Sequence, residues 1–176
     1  GSAYRAEPFA SRGAALDLAC GTGGAAAWLA EAGWEVTGVD FSPVALGIAA
    51  SRAPSVTWLE ADLRTWQAEP GAYNLVHIAY LHLPQQTIRA VLEMAARALA
   101  PNGRLILVGH AVANATEGVG GPSNPAVLYD VTEVVRWLAE AGLDIEDARI
   151  ESRPVAGETR RALDVVVVAQ RKGNPE

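Results

Sequence analysis

The chain has 176 residues, enough for one domain with a substantial core and too few for two of ordinary size. Half of its residues are apolar, which argues against disorder, and a formal net charge of -6 argues against a nonspecific grip on nucleic acid or an anionic membrane. A single cysteine, Cys20, excludes an intramolecular disulfide framework, and three widely spaced histidines offer no zinc-ligand pattern. No segment has the length of a membrane span or the pattern of a signal peptide, so a cytoplasmic location is expected.

Taken in chain order, Ala14 to Ala19 is an apolar run interrupted only by Asp17, and Gly21, Gly23 and Gly24 follow it. This reads as a buried strand ending in a tight turn. Ala25 to Ala32 is rich in helix formers, with Gly33 as its stop. Val36 to Val39 is a second strand ending at Asp40, and Pro43 to Ala50 a second helix capped by Ser42. Val56 to Leu59 is a third strand with Ala61, Asp62 and Leu63 just beyond it, followed by a short turn around residues 63–67 that is left open as helical or not. Tyr73 to Ala79 is a fourth strand, Pro84 to Ala100 a longer helix, and Arg104 to Val108 a fifth strand entered through the turn Pro101-Asn102-Gly103. Residues 110–129, with Gly118, Gly120, Gly121, Pro122 and Pro125, exceed the usual connection length and read as a substrate loop, a lid or a partly disordered segment. Asp130 opens a last helix, with Glu133 in the capping-box position and Gly142 as its stop. Leu143 to Ile150 and Ala162 to Ala169 are the final strands. Short apolar strands alternating with helices predict an α/β domain with a parallel sheet covered on both faces.

In such a sheet, ligands collect beyond the carboxyl ends of the strands. The candidate stations are therefore Asp17 to Gly24, Asp40 to Ser42, Ala61 to Leu63, Ala79 to His82, and His110 onward. Gly21 and Gly23 permit backbone dihedrals closed to other residues and close approach by a ligand. The spacing also fits a dinucleotide fingerprint, but Asp17, four residues before Gly21, suits a cationic ligand group and would repel a pyrophosphate. Asp40, at the end of the second strand, can accept from two ribose hydroxyls, and Asp62 is placed for an adenine amino group.

Leu16-Asp17-Leu18-Ala19-Cys20-Gly21-Thr22-Gly23 resembles the first motif of class I S-adenosylmethionine-dependent methyltransferases. Val36-Thr37-Gly38-Val39-Asp40-Phe41-Ser42 resembles the second, Ala61-Asp62-Leu63 the adenine-contacting motif, and Pro101-Asn102-Gly103-Arg104-Leu105 the turn into the fifth strand. The resemblance covers about residues 14–170 of a single domain. Within the superfamily the chain is most similar to small bacterial tellurite-resistance and thiopurine-type methyltransferases. It implies a Rossmann-like sandwich, with a mostly parallel seven-stranded sheet, helices on both faces and an antiparallel final strand. It further implies that Ala19 to Gly23 cradle the methionine moiety, with Asp17 aiding its amino end. Asp40 would bind ribose, with Ser42 completing its motif, and Phe41 would pack on adenine. Asp62 and the Leu63 backbone would address the adenine edge, while Ala79 and Tyr80 would face the methionine end. S-adenosylhomocysteine would be the product. Ala19 stands where the family usually has glycine, and Asn74 where it usually has aspartate. With thirteen residues before Ala14, the lid that usually precedes the first strand is expected to be short or absent.

Methyl transfer needs an aligned nucleophile, and a general base only when the acceptor retains its proton. His82 and His110 follow the fourth and fifth strands and are the candidate bases or acceptor-binding groups, with Tyr80 and Tyr129 shaping the acceptor pocket. His77, inside the fourth strand, reads as structural, and Cys20, inside the cofactor turn, as a small apolar surface. A small-molecule acceptor is expected, without nucleic acid, membrane or metal, and a homodimer is left open. A noncatalytic cofactor-binding protein is the alternative. An NAD(P)-dependent oxidoreductase is a weaker one, for no Tyr-x-x-x-Lys arrangement is present.

Overall fold

The computed structural model describes residues 13–173. The elements run β1 (Ala14–Leu18), α1 (Gly24–Glu31), β2 (Glu35–Asp40), α2 (Pro43–Arg52), β3 (Thr57–Glu60), β4 (Tyr73–Ala79), α3 (Gln85–Ala98), β5 (Leu99–His110), α4 (Asn114–Glu117), α5 (Val131–Glu140), β6 (Leu143–Arg153) and β7 (Ala162–Arg171), with a 3-10 turn at Pro125–Val127 before α5. Among the described residues the strands form one sheet in the order β3-β2-β1-β4-β5-β7-β6. The pairs from β3 to β5 are parallel, and β7 runs antiparallel to both β5 and β6. The mostly parallel seven-stranded sheet with an antiparallel last strand is thus the observed architecture. The order reverses at β1 and β4, so their carboxyl ends form the crevice where ligands collect.

Alternation along each strand divides the core between two faces. Leu16, Leu18, Val76, Ile78, Leu105 and Leu107 pack with α3 and α5, whereas Ala15, Val36 and Leu75 pack with α1 and Trp34. Local chemistry sets the helix boundaries. Ser42 Oγ accepts the Ala45 amide at 3.2 Å with Pro43 in the first turn of α2. Asp130 accepts the amides of Thr132 and Glu133 at the start of α5. Glu133 itself bonds Arg136 at 2.5 Å, so the two halves of the expected capping box act separately.

Three segments differ in character from the sequence reading or settle what it left open, besides small shifts at the ends of other elements. β5 begins at Leu99, and Pro101-Asn102-Gly103 is a bulge inside it. The β4 partner steps from Tyr73↔Leu99 to Leu75↔Arg104, and Asn102 takes φ 64° at the corner. Residues 63–67 form a turn, not a helix, with the amides of Thr65 and Trp66 donating to the Asp62 carbonyl. Residues 111–129 are structured by α4 and the 3-10 turn. The expected short N-terminal lid falls on residues 1–12, outside the described residues. Asn74 has a structural task, since its Oδ1 accepts the Ala14 amide at 3.1 Å and steadies the entry to β1.

Candidate functional site

The first half of the site grows from register. β1 and β4 place Asp17 opposite His77, so both side chains project from the same face. Both are buried, and Asp17 Oδ1 lies 2.7 Å from His77 Nδ1. Asp17 Oδ2 is buried with no donor among the described residues. An unmatched buried carboxylate oxygen is costly by roughly 1–3 kcal/mol or more. A cationic group at that oxygen relieves the cost, so the residue fits the ammonium end of S-adenosylmethionine.

Beyond β1 the chain makes a turn with Ala19, Gly21 and Gly23 at φ 56°, 55° and 80°. Gly21 faces open space, where an added Cβ would meet nothing within 4 Å, and its amide donates to Asp40 Oδ2 at 2.9 Å. Gly23 is different. A Cβ there would lie 2.5 Å from the Trp58 ring and 2.8 Å from Ala49, so side-chain packing fills the space the sequence reading left for a ligand. Thr22 is exposed on the turn. Ala19 holds a left-handed conformation with its methyl group in place, a backbone that favours the glycine usual in the family. Cys20 is buried, and burial together with the charges of Asp17 and Asp40 pushes its thiol up to about 12. It is therefore a packed thiol and not a nucleophile.

Asp40 is 8% exposed, with Oδ2 on the Gly21 amide and Oδ1 on the Ser42 amide at 2.9 Å. Each oxygen keeps a lone pair, so the pair can still accept two hydroxyls. Phe41 is 76% exposed beside it and offers a free aromatic face. The Ala61 amide donates to the Asp40 carbonyl at 3.0 Å and brings Asp62 and Leu63 to this edge. Asp62 is engaged by Arg64, whose Nη2 lies at 2.6 Å and whose side-chain hydrogen bonds hold the carboxyl below the usual range. An adenine amino group must share Asp62 with Arg64 or displace it.

The second half lies where β4, β5 and β7 end or begin. β5 and β7 pair His110 with Asp164, and His110 Nδ1 sits 2.9 Å from Asp164 Oδ1. Asp164 is 3% exposed, and its Oδ2 accepts from the Tyr80 hydroxyl at 2.8 Å and from Arg153 Nε at 2.9 Å. His82 stacks on His110 with centroids 5.3 Å apart, and the Tyr80 ring lies 5.0 Å from His110. His82 Nδ1 meets the Val127 carbonyl at 3.0 Å, while its Nε2 is buried without a partner. Burial holds His82 below the ordinary histidine value. Tyr80, at φ 55°, is raised by burial and then by its bond to Asp164. Tyr129 is raised by burial, and its hydroxyl donates to the Leu81 carbonyl.

The fold therefore gathers Tyr80, His82, His110 and Tyr129 in one cluster, and ties Gly21, Asp40 and Ser42 together in another. Sequence reasoning missed Asp164, Arg153 and the partnership of Asp17 with His77. Asp164 did carry a signal, as the single charge within the apolar run Ala162 to Ala169. Arg153 carried none, because it is one of several arginines flanking an exposed connection. Among the described residues, no group of three or more His, Cys, Asp or Glu is placed to hold a metal ion.

Over 99 residues the chain is 39% identical to the demethylmenaquinone methyltransferase of Thermus thermophilus, covering 53% of this chain and 45% of that protein. The chain spans less than half the length of the curated relatives it matches. Its fold is shared with a TehB-like S-adenosylmethionine-dependent methyltransferase from Corynebacterium glutamicum, with TM-score 0.69, 23% identity and coverage of 93% of this chain and 83% of that one. It is also shared with phosphoethanolamine N-methyltransferase 2 of Haemonchus contortus in complex with S-adenosyl-L-methionine, with TM-score 0.72, 17% identity and coverage of 94% and 50%. A family model described as a methyltransferase domain matches residues 15–103, half of the chain, and the chain belongs to that methyltransferase domain family.

Proposed function

We propose that the chain transfers a methyl group from S-adenosylmethionine to a small-molecule acceptor, leaving S-adenosylhomocysteine. The observation that carries this reading is the buried Asp17 oxygen without a donor, beneath a left-handed turn whose Gly21 amide is clasped by Asp40. Asp17 receives the amino end of the cofactor, and the turn from Ala19 to Gly21 lines its methionine part. Asp40 accepts the ribose hydroxyls, Phe41 covers the adenine, and Asp62 with the Leu63 backbone addresses the adenine edge. Ala79 and Tyr80 border the methionine end. When bound, the cofactor supplies a methyl group on a sulfonium, an electrophile that needs alignment more than activation.

Tyr80, His82, His110 and Tyr129, gathered in mutual ring contact beyond the end of β4, are the groups placed to meet the acceptor. The motif resemblance to tellurite-resistance and thiopurine-type enzymes supports the small-acceptor class. Isothermal titration with S-adenosylhomocysteine tests the cofactor half. Wild type is expected to bind, and Asp40→Ala to bind about 10- to 100-fold more weakly, as loss of two hydrogen bonds to a charged group requires. Equal affinity in the two proteins removes the ribose assignment, and no binding by wild type overturns the reading.

A further inference from the structure

Two imidazoles in one cluster need not share one task, and here their partners separate them. His82 meets the Val127 carbonyl through Nδ1, so that nitrogen carries the proton and Nε2 holds a lone pair. That Nε2 is buried, and the ring is kept neutral by its burial and by the neighbouring His110. His110 faces the other way electrically. Its Nδ1 is 2.9 Å from Asp164, a carboxylate 3% exposed and anchored by the Tyr80 hydroxyl and Arg153. Neither His110 Nδ1 nor Asp164 Oδ1 has a hydrogen-bond partner among the described residues, so Asp164 acts on the ring as a nearby anion off the hydrogen-bonding axis. A carboxylate oxygen at that distance favours the proton on Nδ1 and leaves the lone pair on Nε2. Tyr80 is no rival base, since its hydroxyl proton is committed to Asp164. The loop approaches His110 through Gly121, where a Cβ would lie 2.3 Å from the imidazole Cδ2 and 2.6 Å from Nε2, so only a glycine there leaves room beside Nε2. The ring is thereby held between that loop and the His82 ring.

We propose that His110 is the proton acceptor of the methyl transfer, that Asp164 is its positioning residue, and that the acceptor is a protic oxygen or sulfur nucleophile such as a phenol or thiol. This rests on the methyl-transfer reading. An acceptor already ionised, or a neutral amine attacking through its lone pair, needs no base at the moment of attack. A carboxylate-supported imidazole serves an acceptor that still carries its proton. In the balanced step, the acceptor oxygen or sulfur forms a bond to the methyl carbon. The carbon–sulfur bond of the sulfonium breaks with its electron pair going to sulfur, giving the neutral thioether of S-adenosylhomocysteine. The acceptor proton passes to His110 Nε2, and the imidazolium so formed faces Asp164 until it returns the proton to water. The charged and titratable groups about His110 are Asp164 from β7, Arg153 from β6 through Asp164, and Tyr80 and His82 after β4. Asp164 is the anion that faces His110, while burial first and the neighbouring His110 after it hold His82 below its ordinary value.

The test uses the full chain saturated with S-adenosylhomocysteine, so that no methyl group is available, and 4-nitrophenol, whose anion absorbs visibly. Below the probe's solution pKa, wild type is expected to raise the bound phenolate fraction several-fold over free probe. His110→Gln is expected to abolish the rise while still binding S-adenosylhomocysteine, and Asp164→Asn to reduce the rise. With S-adenosylmethionine, turnover of unsubstituted phenol is expected to fall at least 100-fold in His110→Gln, in line with the usual worth of a general base. The loss should shrink for 4-nitrophenol at alkaline pH, where the probe is already ionised. The same phenolate fraction in wild type and His110→Gln, for whatever cause, overturns the assignment. Equal losses on ionised and un-ionised phenols also overturn it, since they mark a structural role. Turnover of no phenol or thiol by a protein that binds S-adenosylhomocysteine overturns the acceptor class. Failure to bind S-adenosylhomocysteine overturns the methyl-transfer reading instead.

Discussion

Ala19 sits at φ 56°, one residue past β1 and two before Gly21. An L-residue with a Cβ in that conformation is disfavoured by about 1 kcal/mol or more relative to glycine. Ala19→Gly is therefore expected to raise thermal stability, by an amount equivalent to about 1 kcal/mol, partly offset by greater freedom of the unfolded chain. A melting temperature lower than wild type would show that the alanine methyl contributes packing that outweighs its backbone cost. Its neighbour Cys20 makes a second residue-level case. With a thiol pushed up to about 12, about one molecule in ten thousand is thiolate at pH 8. Alkylation of folded protein by iodoacetamide at pH 8 should run roughly 1,000-fold slower than that of free cysteine. Labelling at the free-cysteine rate would remove the account of Cys20 as sealed between Asp17 and Asp40.

Among the elements, the connection from β5 to α5 is the one whose character changed most between sequence and structure. Its glycines and prolines mark a long irregular segment, yet several clasps hold it. Asn114 is buried in α4, accepts the Leu163 amide at 2.7 Å and donates to the Gly120 carbonyl at 2.8 Å. Gln85, at the start of α3, donates to the Leu128 carbonyl at 2.8 Å, and Tyr129 bonds the Leu81 carbonyl. His82 adds its bond to Val127, which ties this element to pH. Burial places the folded His82 below the unfolded value of about 6.5, so the unfolded chain takes up the proton first. The stability contributed by neutral His82 is therefore present above about pH 6.5 and lost as pH falls through the lower folded value. Melting temperature measured at pH 7.5 and 5.5 should drop more for wild type than for His82→Gln. An equal drop in both would place the acid sensitivity elsewhere.

Across the whole molecule, two buried carboxylates each meet an imidazole on a neighbouring strand: Asp17 with His77 across β1 and β4, and Asp164 with His110 across β5 and β7. Both couples sit at the carboxyl-end crevice of the sheet, one below the turn at residues 19–23 and one in the cluster of Tyr80, His82 and Tyr129. The members of the first are 60 residues apart, and those of the second are residues 110 and 164. Nothing in a linear spacing connects them. What the sequence determined alone is local: alternating strands and helices, the Ser42 and Asp130 caps, the tight turn after the first strand, and Asp40 at a strand end. Those features depend on dihedral preferences and hydrogen bonds reaching only a few residues along the chain, so they can be read before folding. The tertiary structure alone decided that Trp58 fills the space off Gly23 and that Asp164 stands behind His110. These follow from sheet order and register, because a one-residue slip in pairing would turn each of those side chains to the opposite face.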